Sequence, residues 1–158
     1  MNPVQQHEAL WAPWAYLDGH WQADVLMRWD MHGTLTQVLP GTCPPAKDAS
    51  DKVYRAQGAV LPGMPNLHSH AFQSAMAGLT EFRGQDQDSF WSWRDLMYRF
   101  AARLEPEHLY AIAHWLYIQM LKAGYTSVCE FHYLHHPREG GRYSQSGLLA
   151  PGILEAAS

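Results

Sequence analysis

The stretch Leu61-Pro62-Gly63-Met64-Pro65-Asn66-Leu67-His68-Ser69-His70 decides the fold, because it is an apolar run that ends in two imidazoles one residue apart. Side chains i and i+2 of a strand point to the same face, so His68 and His70 can present two nitrogens to one metal ion. A helix would place them about 200° apart. The pair predicts a strand with a zinc site at its C-terminal end, although surface or capping histidines show the same spacing.

The composition is that of a folded globular protein, with 158 residues, of which 47% are hydrophobic and 16% charged. This length has room for one compact core, or for one small domain and part of another. The net charge is -4, and the eleven Lys and Arg residues are scattered along the chain without a basic run. A nucleic acid or other polyanion partner is therefore not expected.

The two cysteines, Cys43 and Cys129, lie far apart in dissimilar contexts, and residues 1–8 lack the basic and apolar pattern of a signal peptide. No apolar stretch approaches the ~20 residues needed to cross a bilayer. We expect a reduced, cytoplasmic protein without a membrane partner.

The first sixty residues have the texture of a small β region, with short apolar segments broken by turn signals. Residues 23–29 and 34–39 have the length and content of strands. Asp30-Met31-His32-Gly33 has the composition of a hairpin connection between them.

Helical periodicity follows the histidine pair. Apolar side chains three and four residues apart predict a helix over residues 89–103. Asp86, Asp88 and Ser89 are candidate caps for its first turn.

A second helix is predicted over residues 106–123, with Pro106 in the first turn and Gly124 as the stop. Residues 126–133 then read as a strand. Strand, helices and strand in this order predict a βαβ unit with parallel pairing. A parallel barrel needs roughly 200 to 250 residues, so we expect a truncated front part of something larger.

Residues 61–73 resemble the first barrel strand of the amidohydrolase superfamily, whose metal-dependent hydrolases and deaminases combine a β-rich flanking domain with a (β/α)8 barrel. Residues 75–81, the Trp-rich residues 89–94 and the Glu-Phe-His-Tyr segment within residues 126–133 narrow the resemblance to the formimidoylglutamate deiminases of histidine degradation. The similarity runs from about residue 10 to the end.

The resemblance implies an α/β fold class: the N-terminal part of a metal-dependent hydrolase (β/α)8 TIM barrel, preceded by a small β-sandwich-like region. Residues 1–57 would form part of the β-rich flanking domain. Residues 58–158 would form the first βα units of an incomplete barrel. The complete enzyme of such a family is a possible homodimer.

Particular residues match the family's site. His68 and His70 match its first-strand zinc ligands, whereas Gln73, Arg94 and Tyr133 match positions that hold a substrate with two carboxylates and a formimino group. An Arg offers a planar fork for a carboxylate, and Gln and Tyr donate neutral hydrogen bonds. The implied reaction is Zn2+-dependent hydrolysis of N-formimino-L-glutamate to N-formyl-L-glutamate and ammonia. The remaining ligands and the acid/base residues would lie beyond the C-terminus, so no catalytic residue is identified in this chain.

Each substrate-binding candidate also has a structural interpretation. Arg94 could lay its stem along the core, Gln73 could be an ordinary loop residue, and Tyr133 could be a core tyrosine. Glu130 and His132 could form a buried, hydrogen-bonded pair or point toward the barrel mouth.

Two other functions stay open. The chain could be a catalytically silent fragment or interaction domain, because two imidazoles are one fewer than the three protein ligands of a catalytic zinc. It could also be another deaminase of the superfamily that acts on a cyclic amidine or a purine. The carboxylate clamp offered by Arg94 argues against a purine.

Overall fold

The chain forms two compact units, Met1–Pro62 and Gly63–Ser158, called here the N-terminal and C-terminal units. The predicted domains span residues 1–57 and 58–158. Their assignment as a β-rich flanking domain and the first part of a barrel stays a prediction. The computed structural model describes residues 8–46, 52–79, 90–137, 140–144 and 148–158.

The N-terminal unit contains one four-stranded sheet in the residues described, with the order β3-β2-β1-β4. β1 pairs antiparallel with β2 and parallel with β4, and β2 pairs antiparallel with β3. The strands are β1 (Ala9–Leu17), β2 (His20–Trp29), β3 (Leu35–Leu39) and β4 (Val53–Arg55).

The predicted hairpin is confirmed, and its turn is closed by the Asp30 side chain. One carboxylate oxygen of Asp30 accepts hydrogen bonds from the backbone N–H groups of His32 at 2.8 Å and Thr34 at 2.9 Å. An Asp that bonds the backbone two residues on is the usual way this residue type favours turns.

β1 was not predicted, because Pro13 interrupts its apolar run and a Pro demotes a strand. The structure accommodates Pro13 at a gap in the pairing, where Ala12 pairs with Val25 and Trp14 pairs with Ala23 in an unchanged register. The residue across this gap, Asp24, has a φ of 53°.

The C-terminal unit places a 3-10 helix and two α-helices between two parallel strands, so the predicted α/β class and the βαβ unit are confirmed. In the described residues β5 and β6 form a two-stranded sheet. The elements are β5 (Met64–Ser69), a 3-10 helix (Ala71–Met76), α1 (Phe90–Ala101), α2 (Pro106–Lys122), β6 (Tyr125–Glu130) and α3 (Leu149–Ala156).

Two boundaries in this unit need comment. The strand predicted over residues 126–133 ends earlier than predicted, at Glu130, so Tyr133 lies in the loop after β6. The candidate caps of α1, Asp86, Asp88 and Ser89, lie outside the described residues.

α2 begins and ends as its sequence predicts. Pro106 occupies the first turn, and the preceding Glu105 donates its backbone N–H to Nδ1 of His108 at 3.1 Å. Gly124 follows the helix with a φ of +90°, a conformation that glycine adopts without strain. The helix therefore has a defined start and stop on either side of its buried face.

α2 organises the core of the C-terminal unit by packing against the 3-10 helix, β6 and α3. Leu109 and Ala113 on its inner face are 2% and 0% exposed. The same core contains Phe72 and Met76 of the 3-10 helix, Met97 of α1 and Ile153 of α3.

Both cysteines, Cys43 and Cys129, are exposed free thiols. In the part of the chain that the structure describes, every helix is too short or too polar to cross a membrane.

Candidate metal centre

The two imidazoles converge at the end of β5, as the alternation of strand side chains predicts. The Nε2 atoms of His68 and His70 lie 3.0 Å apart. Two nitrogen ligands at zinc-ligand distances on one tetrahedral ion would lie roughly 3.3 Å apart. The donor set and its spacing therefore fit a zinc ion.

A carbonyl group sets the tautomer of His70. Its Nδ1 lies 2.9 Å from the carbonyl oxygen of Phe131, the residue just after β6. A carbonyl oxygen only accepts, so we assign the proton to Nδ1 and a free lone pair to Nε2. A metal-binding histidine is commonly oriented in this way by a bond to its other nitrogen.

Parallel pairing of β5 with β6 brings these distant residues together. Ser69 pairs with Glu130, and the backbone N–H of Phe131 donates to the Ser69 carbonyl at 2.8 Å. Ser69 itself is buried between the two histidines. The strand ends thus hold both imidazoles beside the loop that follows β6.

Two of the three predicted substrate-binding residues contact each other next to the histidines. Nε2 of Gln73 donates to the hydroxyl of Tyr133 at 2.7 Å. Both groups also approach the sulfur of buried Met97 at 3.3 Å. The Tyr133 ring lies 5.1 Å from that of His70, measured between ring centroids.

The hydroxyl of Tyr133 is held in its protonated form. Burial raises the pKa of Tyr133 most, the hydrogen bond from Gln73 lowers it, and the nearby Tyr98 and Glu130 raise it further. Its O–H therefore stays a donor at neutral pH. The thioether of Met97 is a weak acceptor, so a stronger acceptor can replace it.

Arg94 is placed differently from the other two candidates. Its guanidinium lies 5.4 Å from the ring of Trp91 and 5.3 Å from the ring of Tyr98, both on α1. Among the described residues its recorded contacts are these aromatic ones, and they do not include Gln73 or Tyr133. Stacking covers the guanidinium faces and leaves the N–H edge available for a carboxylate.

Sequence reasoning left the direction of Glu130 open, and the structure turns this side chain toward β5. Its Oε1 accepts a hydrogen bond of 2.6 Å from the backbone N–H of Ala71. Its Oε2 is buried and lacks a hydrogen-bond partner among the described residues. The pairing of β6 with Ser69 is the signal that identifies Glu130, and it requires the register between the strands.

Two other polar side chains lie near Glu130. Burial, and then the carboxylate of Glu130, raises the pKa of Tyr117 above its usual value. The contact between these side chains falls short of aligned hydrogen-bond geometry. Burial and the charge of His135 lower the pKa of His132, against the opposing effects of the Leu134 backbone and Glu130. Of the two alternatives that the sequence left open for Glu130 and His132, the hydrogen-bonded pair is not formed in the described structure: Oε1 of Glu130 bonds Ala71, and Oε2 of Glu130 and Nε2 of His132 have no partner there.

The histidine pair offers two ligands. Within the ranges that the structure describes, no group of three or more His, Cys, Asp or Glu side chains is arranged to hold a metal ion.

A pair of imidazoles at the carboxyl end of a parallel strand, with hydrogen-bonding side chains beside it, is typical of barrel hydrolases that use a metal ion. Residues 59–158 match the model of the amidohydrolase family, and the chain belongs to that family.

The curated formimidoylglutamate deiminase of Pseudomonas aeruginosa is 51% identical to this chain over 151 residues, which cover 95% of the chain and 32% of that protein. The predicted resemblance is thereby confirmed. The chain spans about a third of the length of this relative.

Solved structures agree with this assignment. A crystal structure of an amidohydrolase from Brucella melitensis superposes with a TM-score of 0.84 at 42% identity, covering 96% of this chain and 32% of the other. Atrazine chlorohydrolase from Arthrobacter aurescens, complexed with zinc, gives 0.70 at 16% identity over 94% of this chain and 32% of its own, and this likeness shows the fold alone. The predicted amidohydrolase fold class is confirmed.

Proposed function

We propose that this chain carries the first metal ligands and substrate contacts of a zinc-dependent deiminase that hydrolyses N-formimino-L-glutamate to N-formyl-L-glutamate and ammonia. The observation that carries this proposal is the 51% identity to a formimidoylglutamate deiminase over nearly the whole chain. The exposed free thiols of Cys43 and Cys129 support a cytoplasmic location for this small-molecule chemistry. A homodimer of the complete enzyme is part of the same proposal.

His68 and His70 would hold the Zn2+ ion through their converging Nε2 atoms. Bound zinc supplies Lewis acidity, which activates water near neutral pH for attack on a C=N carbon. The chain's part is to fix the ligands, and the Phe131 carbonyl does so by keeping the proton of His70 on Nδ1.

The substrate contacts follow from the donors near the pair. Gln73 and Tyr133 would turn their hydrogen bonds from the Met97 sulfur to a substrate oxygen, because a carboxylate is a stronger acceptor than a thioether. Arg94 would receive the second carboxylate on its open N–H edge. An amino-acid derivative with two carboxylates fits this donor set better than a purine does.

The isolated chain is not expected to turn over substrate. A catalytic zinc normally takes three protein ligands, and the described residues provide two. We therefore propose that the chain corresponds to a truncated enzyme. Full activity depends on metal ligands and acid/base residues that the described residues do not contain. The chain alone would then be catalytically silent, whereas its proposed metal ligands and substrate contacts would have their roles in a longer enzyme.

A chimera tests the proposed reaction. The matching third of the Pseudomonas aeruginosa deiminase would be replaced by this chain, and ammonia release from N-formimino-L-glutamate would be measured on the zinc-loaded protein. We expect turnover by the chimera and a loss of at least about 100-fold when His68 and His70 are both changed to Ala, since the ligands of the metal are removed.

The unmodified Pseudomonas aeruginosa enzyme is the positive control, and a purine such as 8-oxoguanine is the negative substrate. A folded chimera that retains zinc but releases ammonia only from the purine would contradict the proposed substrate. Ammonia release by the isolated 158-residue chain would contradict the proposed need for further ligands.

A further inference from the structure

We propose that Glu130 is a positioning residue that holds the His68–His70 pair in its metal-binding geometry. The proposal rests on the proposed metal-binding function of that pair. Glu130 touches neither imidazole and acts through the backbone that follows His70, where its Oε1 accepts the N–H of Ala71 at 2.6 Å.

Glu130 and Phe131, where β6 ends, form hydrogen bonds to His70 and Ala71, which directly follow β5. Glu130 holds the peptide N–H of Ala71 with its side chain, and Phe131 holds Nδ1 of His70 with its carbonyl at 2.9 Å. The backbone bond from Phe131 to Ser69 completes the contact at 2.8 Å. Residues 130–131 therefore fix the Ala71 peptide, the His70 ring and the end of β5. Their geometry sets the direction of the His70 Nε2 atom.

The local structure leaves the Ala71 N–H in need of an acceptor. Ala71 opens the 3-10 helix, and the residue before it, His70, provides no side-chain cap. Ala71 is buried, so water is a poor substitute partner. Glu130 reaches across from the neighbouring strand and satisfies this donor.

The burial of Glu130 Oε2 argues that this residue is retained for position. Placing a carboxylate oxygen out of water without a hydrogen-bond partner is destabilising. Tyr117 is close to this carboxylate, because burial first, and then the charge of Glu130, raise the pKa of Tyr117. A side chain chosen for stability alone would avoid this cost.

The proposal makes the acceptor atom, rather than the charge, the important property of residue 130. A Glu130→Gln variant keeps a side-chain oxygen of the same reach, whereas Glu130→Ala removes it. Glu155 on α3 is exposed, and Glu155→Ala serves as the matched control.

The test uses the 158-residue chain with Zn2+ as the probe. Zinc affinity would be measured by calorimetry at pH 7.5, and the tautomer of His70 by long-range 1H–15N correlation NMR without metal. We expect E130A to lose about 10- to 100-fold in zinc affinity and to mix the two tautomers of His70, which is the range found for outer-shell partners. E130Q should stay within about threefold of the parent protein and keep the Nδ1–H tautomer, and E155A should match the parent.

A folded E130A protein with parental zinc affinity and an unchanged His70 tautomer would overturn the proposal. Loss of both properties in E130Q to the same degree as in E130A would also overturn it, because charge would then be the cause. If E130A does not fold, Glu130→Met takes its place, since it preserves volume without an acceptor. If the parent chain binds no zinc, the proposed metal site fails, and the His70 tautomer alone decides the role of Glu130.

Discussion

The two units build their structure from contacts of different range along the chain. In the N-terminal unit the hairpins β1–β2 and β2–β3 join neighbouring segments, and the turn at Asp30 is closed within four residues, although the short strand β4 also pairs with the distant β1. In the C-terminal unit the contacts between His70 and Phe131 and between Gln73 and Tyr133 join residues 61 and 60 positions apart.

This difference explains where the candidate chemistry lies. Local hairpins need little beyond turn residues and alternation, so they stabilise a sheet without gathering distant side chains. A parallel pair requires a long connection that returns the chain to the amino end of the first strand, so the carboxyl ends of both strands lie at one edge of the sheet. The candidate metal ligands His68 and His70 and the hydrogen-bond donors beside them meet at that edge of the sheet in the C-terminal unit.

Substitution of Arg94 has the largest expected effect. It distinguishes the substrate contact proposed for α1 from the contacts proposed for the residues that follow β5 and β6. In the chimera, Arg94→Met should raise KM for N-formimino-L-glutamate by about 10- to 100-fold, because a charge-assisted hydrogen bond to a carboxylate is lost. Zinc content, measured by metal analysis, should not change. Metal loss together with an unchanged KM would show that Arg94 is structural.

Gly63 tests the parallel pairing itself. A Cβ at position 63 would collide with the side chain of Thr126 at the start of β6, so Gly63→Ala should lower the free energy of unfolding of the C-terminal unit by about 1–3 kcal/mol. Urea denaturation would measure this change. Gly58→Ala is the matched control in the N-terminal unit, since its added Cβ meets open space.

Equal destabilisation by Gly63→Ala and Gly58→Ala would contradict the close approach of β5 and β6. Zinc affinity should fall only in the Gly63 variant, because only that substitution disturbs the strand that carries the ligands.

His132 gives the smallest expected effect, a change in how stability depends on pH. Burial first, and then the charge of His135, lower the pKa of His132, while Glu130 opposes this shift. Below about pH 6.5 His132 therefore binds a proton more readily in the unfolded chain than in the folded chain. The free energy of unfolding falls as the pH drops through that range.

His132→Gln should remove this contribution. Thermal midpoints at pH 7.5 and 5.5 should differ less in the variant than in the parent chain. An identical pH dependence of the two proteins would show that His132 titrates in the folded chain as it does in the unfolded chain.

Sequence patterns predicted the elements that depend on local order and the convergence of the two imidazoles, whose metal-binding role stays a prediction. The alternation at His68 and His70 specified a converging pair, and Pro106 and Gly124 marked the ends of α2. These features follow from backbone geometry over a few residues. Substrate contacts from Gln73 and Tyr133 came from family resemblance, and their roles stay predictions.

Features that depend on register between distant segments were missed. The direction of Glu130 follows from its pairing with Ser69, and no local pattern sets that pairing. The end of β6 was placed too late because apolar residues continue past Glu130 to Tyr133. β1 was missed because a Pro argues against a strand, whereas here Pro13 only leaves out one residue pair with β2 and the register is unchanged.

The central claim is that strand pairing in the C-terminal unit makes His68 and His70 one metal site. Zinc titration of the 158-residue chain by calorimetry tests it most directly, with His68→Ala, His70→Ala and, as a control in the N-terminal unit, the exposed His32→Ala. We expect one weak site per chain, a loss of at least about tenfold in affinity for each of the first two variants, and no change for the third. Unchanged zinc affinity in both His68→Ala and His70→Ala would contradict the claim.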